Sequence, residues 1–208
     1  MSLRLVVLLS GGGTTLQNLI DRSEGGELPA RVAGVISSRA GAFGLERARR
    51  HGIPAVAVPR REFADDGSFN EALWQAIEPF RPDLVALAGF MSLLRVPPAY
   101  HLRIVNVHPA LIPAFCGKGM YGHHVHEAVL AYGAKITGAT VHFVDEQYDH
   151  GPIIIQRACP VLDEDTADTL AERVQAVERE IYPLAIQWIA ENRVRVEGRR
   201  VRILGATS

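Results

Sequence analysis

Two polar residues, Asn106 and His108, stand two positions apart at the end of the apolar run Arg103-Ile104-Val105. The run is typical of a buried strand, and alternate side chains of a strand share a face, so both should point beyond the sheet. An amide donor beside an imidazole that exchanges protons near neutral pH suits a tetrahedral oxyanion intermediate. A turn-forming Asn and a capping His before Pro109 would look the same, so the motif alone leaves both interpretations open.

A second polar group precedes Gly151-Pro152. Asp145, Glu146 and Asp149 are three acids within five residues, a composition typical of a solvated turn. If this loop folds over His108, one carboxylate can orient the imidazole and favour its charged form. Asp149, next to the Gly-Pro turn, is the best-placed candidate.

A glycine-rich segment, Ser10-Gly11-Gly12-Gly13-Thr14-Thr15, lies between a predicted strand and a predicted helix. Glycines allow close approach to a ligand, and the helix N-terminus offers free N–H groups to an anion. The segment indicates a phosphate cradle, with a purely structural turn as the alternative. Leu16 occupies the third glycine position of the dinucleotide fingerprint, so that fingerprint is not satisfied, although Ser37-Ser38-Arg39 imitates a site for a 2′-phosphate.

Other candidate chemistries are weaker. The segment His123-His124-Val125-His126 has only Glu127 as an acidic neighbour at ligand spacing, so we predict no metal site. Cys116 lacks an activating arrangement, and two cysteines are too few for a disulfide framework. A reduced, cytoplasmic setting follows as the expectation.

The composition is that of an ordinary globular protein. The chain has 208 residues, 48% of them hydrophobic and 22% charged, with a formal net charge of −1. Lysine and arginine are scattered, so we expect no nucleic-acid partner. Apolar stretches are too short for a membrane span, and the N-terminal apolar segment is too short for a signal peptide.

Short apolar runs alternate with amphipathic segments, which predicts βαβ units and a mostly parallel twisted sheet with helices on both faces. Two longer strand patterns near the C-terminal half add an antiparallel element. The predicted strands are Leu3–Leu9, Arg31–Ile36, Ala55–Val58, Asp83–Ala88, Ile104–Val107, Lys135–Val144 and Pro152–Leu162. The predicted helices are Thr15–Arg22, Phe43–Arg50, Phe69–Phe80, Pro98–Leu102 and Thr169–Asn192.

We expect a kink or a short break in the last helix at Tyr182-Pro183, because proline removes a backbone donor. The arginine-rich tail at about 193–204 predicts a small exposed hairpin. With no repeat or linker, residues 1–208 are interpreted as one domain.

These segments, in this order, resemble the phosphoribosylglycinamide formyltransferase family, which is folate-dependent and acts in purine biosynthesis. The resemblance runs from Val7 to about Trp188. Its motifs are Ser10–Gln17, Ala42–Ala48, Leu87–Met91, Asn106–Pro113, Thr140–Val144 with Asp149–Pro152, and Gln175 and Glu178 ahead of Ile181-Tyr182-Pro183.

The resemblance implies a Rossmann-like formyltransferase fold and transfer of the formyl group of 10-formyltetrahydrofolate to the amine of glycinamide ribonucleotide. It implies small-molecule substrates only, the folate being a cosubstrate and no cofactor tightly bound, in a monomer or homodimer. The implied catalytic residues are Asn106, His108 and Asp149, with His108 kept cationic by Asp149. Gly13, Thr14, Thr15, Gln175 and Glu178 would bind the ribonucleotide. Asn106, with Met91, Ser92, Leu93, Leu94, Asp145, Glu146, Gln147, Tyr148 and Asp149, would bind the folate.

The chain departs from the family pattern at two positions that often carry a basic residue. Ser92 and the segment Ala64-Asp65-Asp66 stand there, which leaves recognition of the folate tail open. Lys118, in an enlarged loop after Pro113, is a candidate replacement charge, and His142 is a further candidate site residue. A formyltetrahydrofolate hydrolase and an NADP-dependent oxidoreductase are the alternative functions.

Overall fold

A computed structural model describes residues 2–205 of the chain. Seven strands form a mostly parallel sheet, and two more form an antiparallel hairpin near the C-terminus, which confirms the predicted α/β class. The chain divides into two compact units, one ending at Val105 and the other beginning at Asn106. None of the helices within residues 2–205 has the length and apolar character that crossing a bilayer requires.

The first unit is a parallel βα array with strand order β3-β2-β1-β4. Its central strand β1 is apolar and buried from Leu5 to Leu9, as expected of a parallel strand covered on both faces. Helix α1 buries Leu16, Leu19 and Ile20, which recur at helical spacing. The elements are β1 (Leu3–Leu9), α1 (Thr14–Glu24), β2 (Ala30–Ser37), α2 (Phe43–Arg50), β3 (Ala55–Ala57), α3 (Asp66–Ile77) and β4 (Leu84–Leu87).

The second unit places a long helix against an antiparallel pair of strands. Strand β5 (Ile104–His108) leads into it, and its strand order continues β5-β6-β7. Helix α5 packs against β6, β7 and α4. The remaining elements are α4 (His123–Tyr132), β6 (Ile136–Phe143), β7 (Ile153–Pro160), α5 (Ala167–Ala190), β8 (Val194–Glu197) and β9 (Arg200–Ile203).

The structure differs from the prediction at two helices. A kink or a short break was predicted at Tyr182-Pro183, and the break was wrong, because helix α5 runs unbroken through Pro183; Tyr182 and Pro183 are both buried, and packing of the helix outweighs one missing donor. Helix α4 was not predicted at all. Its signals were Val125 and Val129 at a spacing of four and Gly133 as a left-handed C-cap.

Candidate active site

The end of β5 carries Asn106 and His108, two positions apart within the strand. His108 is only 3% exposed, and Asn106 is half-buried. Both approach the same carboxylate: Asn106 Nδ2 lies 3.4 Å from Asp149 Oδ1, and His108 Nδ1 lies 3.5 Å from Asp149 Oδ2. The three residues predicted to be catalytic are therefore clustered in the second unit.

Asp149 is held in an unusual backbone conformation in the loop between β6 and β7. Its φ of 52° lies in the left-handed region, which is sparsely populated by residues other than glycine. Its Oδ2 also accepts a hydrogen bond from the amide of Gly117 at 2.9 Å. Burial acts to raise the pKa of Asp149, but interactions with the imidazoles of His142 and His108 and with the Gly117 amide together hold it below its ordinary value. Asp149 is therefore ionised at neutral pH.

The imidazole of His108 has an acceptor at each nitrogen. Its Nε2 lies 2.8 Å from the carbonyl oxygen of Phe115, and its Nδ1 faces Asp149. Burial lowers the pKa of His108, and this outweighs the opposing effects of the Asp149 charge and of the Phe115 carbonyl. The expectation that Asp149 keeps His108 cationic is thus corrected: the neutral ring is favoured at rest, and the charged ring would find both its N–H groups accepted.

His142 orients the amide of Asn106. Its Nδ1 lies 2.7 Å from the carbonyl oxygen of Phe143, so Nδ1 carries the proton and Nε2 is the acceptor. Asn106 Nδ2 donates to that Nε2 at 3.1 Å. One amide N–H of Asn106 is thereby fixed, and the other is directed at Asp149 by only a long contact of 3.4 Å. The second N–H is the one available to a bound substrate.

The turn after β5 supplies two main-chain groups that the sequence analysis missed. Phe115 offers its carbonyl to His108, and Gly117 offers its amide to Asp149. Both residues have positive φ, 50° for Phe115 and 98° for Gly117. Gly117 was detectable as a glycine in a predicted loop, but the conformation of Phe115 has no signal in its residue type.

The loop residues predicted to contact folate directly precede Asp149. Asp145 lies near the start of the loop, and its carboxylate accepts from the amide of Gln147 at 2.9 Å and from His150 Nδ1 at 2.7 Å. Tyr148 is 41% exposed, so its ring is accessible. Glu146 lies between Asp145 and Gln147 on the same loop.

Gln175 and Glu178 lie three residues apart on α5, as predicted, and so occupy one face of the helix. Gln175 is exposed, and Glu178 is partly buried. Burial raises the pKa of Glu178 to about 7, against the opposing charge of Arg179. Glu178 is thus poised to exchange a proton near neutral pH.

In the first unit, the predicted phosphate loop joins β1 to α1. Gly13 has a φ of 74°, and a Cβ there would lie 2.7 Å from the Cα of Gly44, so only glycine fits. Thr14 and Thr15 open the helix, where N–H groups have no intrahelical partner. Arg47 donates from Nε to the carbonyl of Gly12 at 2.8 Å, which adds a positive charge beside the loop.

A cavity of about 760 Å³ opens beside this loop within the first unit. It does not include the predicted phosphate residues Gly13, Thr14 and Thr15. Within it, the buried hydroxyls of Ser10 and Ser38 are 2.6 Å apart. It is lined by Ser10–Gly12, Ser38–Ala42, Pro59–Arg61, Met91 and Ser92.

The other predicted folate residues of this unit differ in accessibility. Met91 is 40% exposed and Leu94 only 3%, while Ser92 and Leu93 are half-buried. Leu94 therefore packs as a core residue, the interpretation that its residue type alone favours. Lys118, the candidate replacement charge, is exposed on its loop in the second unit.

The histidine-rich segment is the start of α4. Its first two histidines are exposed, and His123 Nδ1 lies 3.5 Å from Asp168. His126 is buried, and burial lowers its pKa, with the charges of His123 and His108 acting in the same direction.

Comparison with known proteins places these features in a wider group. The formyl transferase family matches residues 3–186. The chain is 38% identical over 196 residues to the phosphoribosylglycinamide formyltransferase of Escherichia coli, covering 93% of this chain and 90% of that one. It is 39% identical over 193 residues to the chloroplastic protein of the same name from Vigna unguiculata, covering 92% of this chain and 62% of that protein. Its length thus spans less than two thirds of the plant relative.

A comparison with solved structures also finds a close relative of this chain. The crystal structure of glycinamide ribonucleotide transformylase 1 from Symbiobacterium toebii superposes with a TM-score of 0.92 at 46% identity, covering 98% of this chain and 94% of that one.

Proposed function

Because the chain belongs to the formyl transferase family, we propose that it transfers the formyl group of 10-formyltetrahydrofolate to the amine of glycinamide ribonucleotide. The observation that carries this proposal is the cluster at the end of β5. There an amide donor and a buried imidazole each lie within 3.5 Å of the same ionised carboxylate. The relatives named phosphoribosylglycinamide formyltransferase support the ribonucleotide as the formyl acceptor, and the folate donor is inferred from the family resemblance.

The proposed reaction begins with attack of the ribonucleotide amine on the formyl carbon. A C–N bond forms, and the formyl oxygen becomes an oxyanion. Asn106, its amide fixed by His142 on one side, donates its second N–H to this oxygen. A donor of this kind contributes about 3 kcal/mol to stabilising the transition state.

His108 and Asp149 move the proton. Neutral His108 takes up the proton released by the attacking amine, and the resulting imidazolium has Phe115 and Asp149 as acceptors. The proton then passes to the folate nitrogen as its bond to the formyl carbon breaks, which releases tetrahydrofolate. The charge of Asp149 stabilises the imidazolium between these steps.

We assign binding roles to the remaining residues on the strength of the family resemblance. Gly13, Thr14 and Thr15 bind the ribonucleotide phosphate, and Gln175 and Glu178 bind its glycinamide or ribose part. The folate contacts are those predicted from the sequence, with Leu94 shaping the site from the core. We propose that the chain acts as one formyltransferase domain, as monomer or homodimer, on small-molecule substrates and without a tightly bound cofactor.

The test is an absorbance assay for folate product, run with and without glycinamide ribonucleotide. We expect turnover that requires the ribonucleotide and is abolished in His108→Ala. His124→Ala, an exposed histidine on α4, is the matched control and should retain activity. Turnover without ribonucleotide would instead favour a hydrolase, and full activity in His108→Ala would contradict the mechanism.

A further inference from the structure

The loop that carries Asp149 holds this residue in a strained backbone conformation. Asp149 has a φ of 52°, and a residue other than glycine in this region costs about 1–2 kcal/mol. The base of the loop is closed by a hydrogen bond from Phe143 N to Pro152 O at 2.9 Å. Next to Asp149, Gly151 lies so close to Phe143 that an added Cβ would be 1.9 Å from its carbonyl oxygen. The backbone on the C-terminal side of Asp149 thus has little freedom to relax.

The intervening residue, His150, is held from outside by the C-terminal hairpin. Arg199, in the turn between β8 and β9, donates from Nη2 to the carbonyl oxygen of His150 at 2.6 Å. Its Nη1 lies 3.2 Å from His150 Nε2. Strand β9 itself lies against β7, so the turn is mounted on the same sheet that bears the loop.

His150 in turn contacts Asp145, near the start of the loop. Its Nδ1 is 2.7 Å from Asp145 Oδ2, which places the proton on Nδ1 and leaves Nε2 free to accept from Arg199. The tautomer of His150 with its proton on Nδ1 is compatible with its contact to Asp145 and with both contacts to Arg199. The arginine, the imidazole and the carboxylate of Asp145 therefore form a continuous chain across the loop.

We infer that Arg199 is a positioning residue for formyl transfer, which acts through His150 to hold the Asp149 carboxylate beside His108. The inference rests on the proposed function. Arg199 lies outside residues 3–186, the part of the chain that the family match covers. On this inference the C-terminal hairpin acts on the site through the contacts of Arg199 with His150.

The first test compares Arg199→Ala with Arg200→Ala, which removes an equal charge from the next, exposed position. Small displacements of catalytic groups have large effects on rate, so we expect Arg199→Ala to lower kcat about tenfold. The KM for ribonucleotide and the melting temperature should stay unchanged. Arg199→Lys should recover part of the loss, because an ammonium group can still donate to the His150 carbonyl.

A second measurement does not depend on activity. Hydrogen exchange of the amides of residues 145–151 should be faster in Arg199→Ala than in wild type and unchanged in Arg200→Ala. Unchanged exchange and kcat in Arg199→Ala would overturn the inference, as would faster exchange with full kcat. If the wild-type protein transfers no formyl group, the proposed function fails, while exchange still reports whether Arg199 holds the loop.

Discussion

Two neighbouring side chains of the candidate catalytic cluster, Asp149 and His108, have pKa values shifted by different causes. Asp149 is ionised and His108 is neutral at rest, although the two lie 3.5 Å apart. A neutral imidazole beside a carboxylate is ready to accept a proton, and the charge it then acquires is stabilised at once. Residue types made Asn106, His108 and Asp149 candidates and the family resemblance implied them as a set, but the direction of the His108 pKa depends on burial among residues distant in sequence. The sequence alone therefore could not predict the direction in which the His108 pKa is shifted.

Glu178 offers a pH-dependent prediction. Its folded-state pKa of about 7 exceeds the ordinary value of 4.5, so the folded protein holds this proton where the unfolded chain has lost it. The stability associated with the protonated form is therefore lost as the pH rises from about 4.5 to 7. Glu178→Gln should raise the free energy of unfolding by about 1–2 kcal/mol at pH 8 and leave it unchanged at pH 4.

Denaturant unfolding at both pH values measures this effect. Glu172→Gln, an exposed position on the same helix, is the control and should change neither value. Because Glu178 is assigned to ribonucleotide binding, its variant should also show a raised KM. Equal stabilisation at pH 4 and pH 8 would contradict the titration.

At the scale of elements, the turn between β1 and α1 depends on one glycine. Gly13→Ala would force a Cβ against the Gly44 backbone at positive φ, so we expect a loss of about 2 kcal/mol in stability and a weakened affinity for the ribonucleotide. Gly11→Ala meets nothing within 4 Å and should leave stability unchanged. Thermal unfolding of the two variants decides the matter, since equal losses would show that steric contact at Gly13 is irrelevant.

Apolar periodicity predicts the bounds of some helices and strands but not of others. β1 and α2 begin and end where the sequence placed them, because their apolar patterns stop abruptly. Helix α4 was not predicted, because its apolar stripe is short and three of its first four residues are the polar His123, His124 and His126. Contacts such as that of Arg199 with His150, 49 positions apart, leave no local pattern and needed the structure.

For the molecule as a whole, the two functional classes that the glycine loop suggests predict different ligands. A ligand that binds only the folded protein stabilises it by about 2.7 kcal/mol at a hundredfold excess over its Kd. For a chain of this length, that corresponds to a rise of about 5–10 °C in melting temperature.

Glycinamide ribonucleotide should produce this rise without any folate present, because the phosphate loop and Glu178 are assigned to it alone. NADPH at the same concentration should produce none, because Leu16 breaks the dinucleotide fingerprint. A rise with NADPH and none with the ribonucleotide would reassign the cavity lined by Ser38 and Arg39 to a dinucleotide and favour an oxidoreductase.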